Sequence, residues 1–203
     1  MTKTAWHNED TLPSSMLNTR FKSLSESNHF SSLNRCIELA GGSSLIDIGC
    51  GAGEVRNTFS QYQYTGADLP HIIENVLLKK NPGTNFIEFD ANETDFSFLR
   101  DFDVVLMNGF LSEVPEWFMI LNKVLANSNR NVIIHRQEVT QNESHIGKYQ
   151  TYGNLVTEKT IINYNELMNL FKFNGFSVIV ETNSFDYQDN NKTFLVRKVD
   201  FDD

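Results

Sequence analysis

The chain has 203 residues, 40% hydrophobic and 21% charged, a balance that suits one globular unit with a sizeable core and excludes a disordered segment. Its formal net charge of −9 argues against a general nucleic-acid or anionic-membrane surface, which needs clustered Lys and Arg. No run of about 18 apolar residues predicts a bilayer span, the N-terminal M-T-K-T-A-W-H-N-E-D lacks the apolar core of a secretory signal, and Cys36 and Cys50 alone make no disulfide scaffold. A cytoplasmic protein with free thiols is expected.

Residues 1–12 are polar. From Pro13 to about Glu26, Met16, Leu17, Phe21 and Leu24 predict a first helix, begun by capping around Thr11. A second helix, about Phe30 to Ala40, carries Leu33, Ile37 and Leu39 and ends at Gly41-Gly42, which suits a C-cap. Residues 1–42 are thus expected to form a helical extension or lid before a domain over 43–203.

Leu45, Ile46 and Ile48 make a short apolar strand within Ser44–Ile48, as for a central parallel strand covered on both faces. It runs into Gly49-Cys50-Gly51-Ala52-Gly53 and then a short helix from Glu54 to about Gln61. Glycines between strand and helix let the backbone approach a ligand closely and aim helix N–H groups at it. Tyr62 to Leu69 reads as a second strand with Asp68 at its end. Pro70 opens a helix whose apolar face is Ile72, Ile73, Val76 and Leu77, and Asn81-Pro82-Gly83 is a turn. Asn85 to Asp90 is the third strand, and a helical turn near Asp95 to Leu99 precedes the fourth, Asp103 to Asn108. Glu113 to Leu125 is helical and Asn131 to His135 is the fifth strand. Residues 137–162 are polar and suggest no regular element. After a helix over Asn163 to Phe173, Phe176 to Ser184 and Thr193 to Val199 form an antiparallel pair across a polar loop.

Strands alternating with helices predict an α/β fold with a parallel sheet of right-handed βαβ units. Ligands in such sheets sit beyond the carboxyl ends of the strands, which singles out Asp47 to Gly53, Asp68, Asp90, Asn108 and His135. The glycine loop departs from the dinucleotide fingerprint G-x-G-x-x-G, because Glu54 stands where the third glycine belongs and would repel a pyrophosphate.

The stretch D-I-G-C-G-A-G, with Asp68 ending the next strand and Asp90-Ala91 ending the third, resembles the class I S-adenosylmethionine-dependent methyltransferases over roughly residues 43–199. The resemblance implies a Rossmann-like, doubly wound, mostly parallel seven-stranded sheet with an antiparallel C-terminal strand, N-terminal helices, and S-adenosyl-L-methionine as cofactor. It implies that Gly49, Gly51 and Gly53 let the backbone touch the cofactor's methionine and ribose, and that Asp47 orders the loop near its amino group. Asp68 would accept from both ribose hydroxyls, Asp90 from the adenine amino group, and the Ala91 N–H would meet the ring. Asn108 and Gly109 would lie beside the transferable methyl, and Cys50 and Leu69 belong to the same binding set. No Asn-Pro-Pro-aromatic motif follows the fourth strand, which subtracts adenine and glutamine-amide acceptors, and no C-x-x-x-C-x-x-C supports radical chemistry. His135 to Thr140 (H-R-Q-E-V-T) and Tyr149 to Asn154 (Y-Q-T-Y-G-N) are similar to small methyltransferases of polysaccharide-biosynthesis gene clusters, which implies a small-molecule acceptor, a sugar or sugar conjugate. A non-catalytic S-adenosylmethionine-binding partner subunit is the alternative, and a homodimer is among the assemblies left open.

Methyl transfer from a sulfonium needs a base only for a hydroxyl or protonated amine. His135 is the first candidate, since an unperturbed pKa of about 6.5 suits proton abstraction near neutrality; pairing with Glu138 or capping of its strand is the alternative. Glu113 is the second, with a helix N-terminal charge as its alternative. Arg136 suits an anionic acceptor, and Tyr149, Tyr152 and Trp117 are candidates for the acceptor pocket. His7, His29, His71 and His145 share no ligand spacing, so no metal is expected.

Overall fold

A computed structural model describes residues 5–7, 13, 16, 23–151 and 155–199. Its centre is β1 (Ser44–Ile48), whose Leu45, Ile46 and Ile48 are fully buried. β2 (Gln63–Asp68) and β4 (Val104–Asn108) flank it in parallel, and β3 (Asn85–Glu88) and β5 (Asn131–Thr140) extend the parallel sheet in the order β3-β2-β1-β4-β5. The chain therefore winds outward one way to β3, returns, and winds the other way to β5. The switch between β1 and β4 opens a crevice at their carboxyl ends. The closing pair is antiparallel as expected, with β9 (Gln188–Lys198) beside β5 and β8 (Phe176–Phe185) beside β9.

Side-chain alternation along the strands feeds two layers. Leu45, Val104 and Leu106 pack with Leu33, Cys36, Ile37 and Ala40 of α1 (Phe30–Ala40). Ile46, Ile48, Val105 and Met107 face the other way, onto Ile120, Leu121 and Val124 of α4 (Trp117–Asn127) and Leu167, Leu170 and Phe171 of α5 (Tyr164–Phe173). Leu39 lies off the inward stripe of α1 and is 49% exposed, in contrast to the expected face. Two further helices complete the set: the short α2 (Glu54–Thr58) and α3 (70–80), the latter with a π turn over Ile73–Leu77. Its predicted face, Ile72, Ile73, Val76 and Leu77, is buried against Met16 and Cys50. Of the helix expected over 13–26, Pro13 and Met16 are helical and Leu24–Glu26 is a 3-10 turn; residues 14–15 and 17–22 lie outside the described residues.

The sheet has nine strands where seven were expected. β5 runs on five residues past His135, and β6 (His145–Thr151) and β7 (Leu155–Asn163) form a hairpin that pairs β7 with the end of β5, Val139 opposite Ile162. These strands fall in the stretch that suggested no element. Two of their inward positions, Thr157 and Thr160, are polar, which weakens the apolar alternation that would mark them. Gln137 is 1% exposed and donates from Nε2 to the Thr160 carbonyl at 3.0 Å, while Thr160 donates to the Val114 carbonyl at 2.9 Å.

Asp103 fastens the start of β1 to β4. Its Oδ2 accepts from the Ser43 and Ser44 N–H groups at 2.8 and 3.2 Å, and its Oδ1 from Arg130 Nη1 at 2.6 Å. The Ser43 amide first, and then Arg130, hold this carboxyl well below the usual carboxylate range. Asp103→Ala is expected to lower the unfolding free energy by about 1–2 kcal/mol in urea titrations near neutral pH. A depressed native pKa stabilises above the unfolded carboxylate value of about 3.9 and is lost only as pH falls below it, so the deficit should vanish in strong acid.

Candidate functional site

The carboxyl ends of β1 to β4 surround a cavity of about 730 Å³. One wall is the loop after β1. Gly49 and Cys50 donate their N–H groups to the Ala67 carbonyl at 2.8 and 3.2 Å, which ties the loop to the end of β2. Gly49 has φ +67°, and a Cβ there would stand 2.5 Å from the Phe110 ring. Gly51 has φ +56°, and a Cβ there would meet only Met16, at 3.7 Å, so this glycine leaves open space inside the cradle. Cys50 also lines the cavity, its thiol raised well above the ordinary range by burial and by Asp68 and Asp47, which fits a packed residue and not a nucleophile. Gly53 is placed differently from expectation. It packs behind the loop, where a Cβ would lie 2.7 Å from Asn81 Nδ2, and is not on the cavity wall.

Three aspartates face the cavity. Asp68 accepts from the Gly51 N–H on Oδ2 at 2.7 Å and from the Leu69 N–H on Oδ1 at 2.8 Å. Burial raises its carboxyl to about 6 against the pull of those two amides. Each oxygen retains a lone pair for a ligand hydroxyl. Asp47 is 1% exposed; its Oδ2 accepts from the Tyr64 hydroxyl at 3.2 Å, and its Oδ1 has no partner among the described residues. Burial pushes this carboxyl up to about 8, so an arriving cation would find an acceptor that it could hold ionised. Asp90 accepts from the Asn92 N–H at 2.9 Å and pairs with His7 Nε2 at 3.2 Å. Beside it Ala91, Phe89, Leu69 and Ile72 make an apolar slot.

The remaining wall lies past β4. Asn108 and Gly109 line it, and Arg136 covers them, with Nε donating to Asn108 Oδ1 at 3.1 Å and Nη2 to the Asn108 carbonyl at 3.3 Å. Arg136 has φ +62°, the sole non-glycine residue with positive φ among those described, at a β5 register shift between Ile134 and Gln137. That backbone costs on the order of 1–3 kcal/mol, and it turns a side chain of the strand into the cavity. Glu113 accepts from the Tyr149 hydroxyl, from Trp6 Nε1 at 3.1 Å and from Thr157 Oγ1 at 3.3 Å. Burial raises its carboxyl against those three donors.

His135 does not reach the cavity. It is 1% exposed, with Nδ1 on Thr193 Oγ1 at 2.7 Å and Nε2 on His29 Nδ1 at 2.9 Å. The strand points it toward α1, so the direct base role expected of it gives way to a place behind His29, which does line the cavity. Glu138 pairs with Lys159 at 2.5 Å and not with His135. Tyr149 is on the wall, Trp117 is in the core, and Tyr152 lies outside the described residues. Sequence reasoning missed Trp6, His7 and His29, which carry no motif and come to the cavity only through the fold. Among the described residues no group of His, Cys, Asp and Glu suits a metal ion, and no helix is long and apolar enough to cross a membrane.

The wall thus offers a fixed carboxylate for a vicinal diol, an apolar slot edged by a carboxylate for a heteroaromatic amine, and an unpartnered oxygen for an ammonium. A family model described as a methyltransferase domain matches residues 19–181. No curated protein sequence matches the chain. Among solved structures, the fold is similar to an amino pentose methyltransferase of Micromonospora echinaspora bound to S-adenosylmethionine, at 13% identity over 90% of this chain and 99% of that one, TM-score 0.65. It is also similar to an S-adenosylmethionine-dependent methyltransferase of Mesorhizobium loti, at 14% identity over 86% and 100% of the two chains, TM-score 0.63. A sugar N-methyltransferase of a Streptoalloteichus species gives 11% identity over 86% and 88%, TM-score 0.63.

Proposed function

The chain belongs to the methyltransferase-domain family, and on that premise we propose that it transfers the methyl group of S-adenosyl-L-methionine to a small-molecule acceptor, a sugar or sugar conjugate. The observation that carries this reading is the cradle itself: Asp47 Oδ1 buried without a partner, Asp68 fixed by the Gly51 and Leu69 amides, and open space above Gly51. In it Asp68 would hold the ribose diol, Asp90 and Ala91 the adenine, and Asp47 the amino group, with Asn108 and Gly109 beside the methionine arm. The cofactor, when bound, supplies a methyl carbon already activated by a sulfonium. What the protein adds is mostly proximity and orientation, worth up to about 7–11 kcal/mol in well-aligned cases.

The acceptor lobe supports a polar substrate. Glu113, Arg136, His29, Tyr149 and Asn108 converge there with donors and acceptors that suit hydroxyl or amino groups on a ring. Two structural neighbours are an amino pentose methyltransferase and a sugar N-methyltransferase, which favours the same acceptor class here. The turn Ala5–His7 acts as a cover in this reading: His7 holds Asp90 and Trp6 holds Glu113, so it spans from the adenine end to the acceptor end. Buried, unpaired Cys36 and Cys50 accord with a cytoplasmic setting.

The test is formation of S-adenosylhomocysteine from S-adenosylmethionine with a panel of hydroxy, amino and nucleotide-linked sugars. Turnover with one class of sugar is the expected result. Tight cofactor binding with no turnover on any of them would instead make the chain a binding subunit.

A further inference from the structure

We infer that His29 is the proton acceptor of the acceptor lobe, and that Ser32, Thr193 and His135 act as positioning residues that leave its Nε2 bare toward the cavity. This rests on the methyl-transfer reading above and names a residue for that site.

His29 stands at the N-terminus of α1 on the cavity wall, its ring tilted against His135 at 5.0 Å between centroids and edged by Phe185 at 5.5 Å. Protons along the buried chain behind it can be counted, since tautomers are assigned from the donors and acceptors present. Ser32 Oγ donates to the His29 carbonyl at 2.9 Å, so its oxygen serves as acceptor for Thr193 Oγ1 at 3.4 Å. Ser184 Oγ, which accepts from the Arg136 N–H at 3.2 Å, has its own proton for Thr193 at 2.9 Å. Thr193 has then spent its proton, and toward His135 Nδ1 at 2.7 Å it accepts, which puts a hydrogen on that nitrogen. Burial, with Arg136 and His29 adding to it, keeps His135 neutral, so its Nε2 is bare and accepts from His29 Nδ1–H at 2.9 Å. Burial and Arg136 likewise pull His29 down to about 4, and a neutral ring protonated at Nδ1 has a lone pair at Nε2. That nitrogen has no hydrogen-bond partner among the described residues.

The step balances without further reagents. The acceptor hydroxyl gives its proton to His29 Nε2 and an oxygen lone pair to the methyl carbon, and the electron pair of the broken carbon–sulfur bond stays on sulfur. The attacking oxygen grows acidic as its new bond forms, so a weak base that stays unprotonated at neutral pH is sufficient.

Ring nitrogens of histidine-labelled protein, read by long-range proton–nitrogen correlation at neutral pH, test the tautomer with no acceptor present. His29 is expected with Nδ1–H and a bare Nε2, Thr193→Val to shift it toward Nε2–H, and Thr193→Ser to keep the wild-type pattern. A protonated Nε2 in the folded wild-type protein overturns the proposal. With the hydroxy sugar selected in the assay above, His29→Asn should lose about 100-fold or more in kcat while binding S-adenosylhomocysteine within about twofold of wild type. Wild-type kcat in that variant also overturns it. Failure of the methyl-transfer reading looks different: the wild-type protein then turns over none of the sugars, whether or not it binds S-adenosylhomocysteine and whatever the tautomer.

Discussion

Asp68→Ala is expected to weaken S-adenosylhomocysteine binding by about 100-fold or more in titration calorimetry. The carboxylate acts twice. It anchors the Gly51 N–H at 2.7 Å, which sets the height of the loop, and it keeps lone pairs for the two ribose hydroxyls. Hydrogen bonds to a charged group contribute about 1.5–3 kcal/mol each, so losing two of them removes about 3–6 kcal/mol, and each 1.4 kcal/mol is tenfold in affinity. The alanine also strands the Gly51 and Leu69 amides, at about 1–3 kcal/mol of stability, which a melting curve reads separately from binding. Because an ionised carboxyl is what accepts from a diol, and burial has raised this one to about 6, wild-type affinity should be full above that pH and fall below it. Affinity in Asp68→Ala equal to wild type would remove Asp68 from the site.

Gly51→Val should bring a comparable loss of affinity for a different reason. The backbone at φ +56° costs a residue with a Cβ about 1–2 kcal/mol, so the variant folds with a modest loss of stability. Its side chain then occupies the open space that the cradle reserves for a ligand, since the nearest atom a Cβ meets is Met16 at 3.7 Å. A folded Gly51→Val protein that still binds S-adenosylhomocysteine as wild type does would mean the ligand lies elsewhere.

What could be read without a structure followed strong local signals. Apolar Leu45, Ile46 and Ile48, Gly49 and Gly51 after them and the strand-end aspartates sit where expected, because a central parallel strand and a close backbone approach leave few other residue choices. The β6–β7 hairpin was hidden because Thr157 and Thr160, like Gln137 on the adjoining β5, face inward as polar side chains held by hydrogen bonds, which weakens the apolar alternation. Arg136 was legible as a cation but not as a bulge, since nothing in H-R-Q-E announces an arginine with positive φ. His135 and His29 meet across 106 positions of sequence, so no local pattern could tell which of them faces the ligand. Gly53, spaced like its neighbours, packs on Asn81 instead of the cavity for a reason set by α3.

Whether this cavity takes S-adenosylmethionine is read directly by calorimetric titration of the folded protein with S-adenosylhomocysteine, with NAD in parallel. One molecule of S-adenosylhomocysteine bound per chain and no heat with NAD is the predicted result. Folded protein that ignores S-adenosylhomocysteine, or that takes NAD in its place, contradicts it.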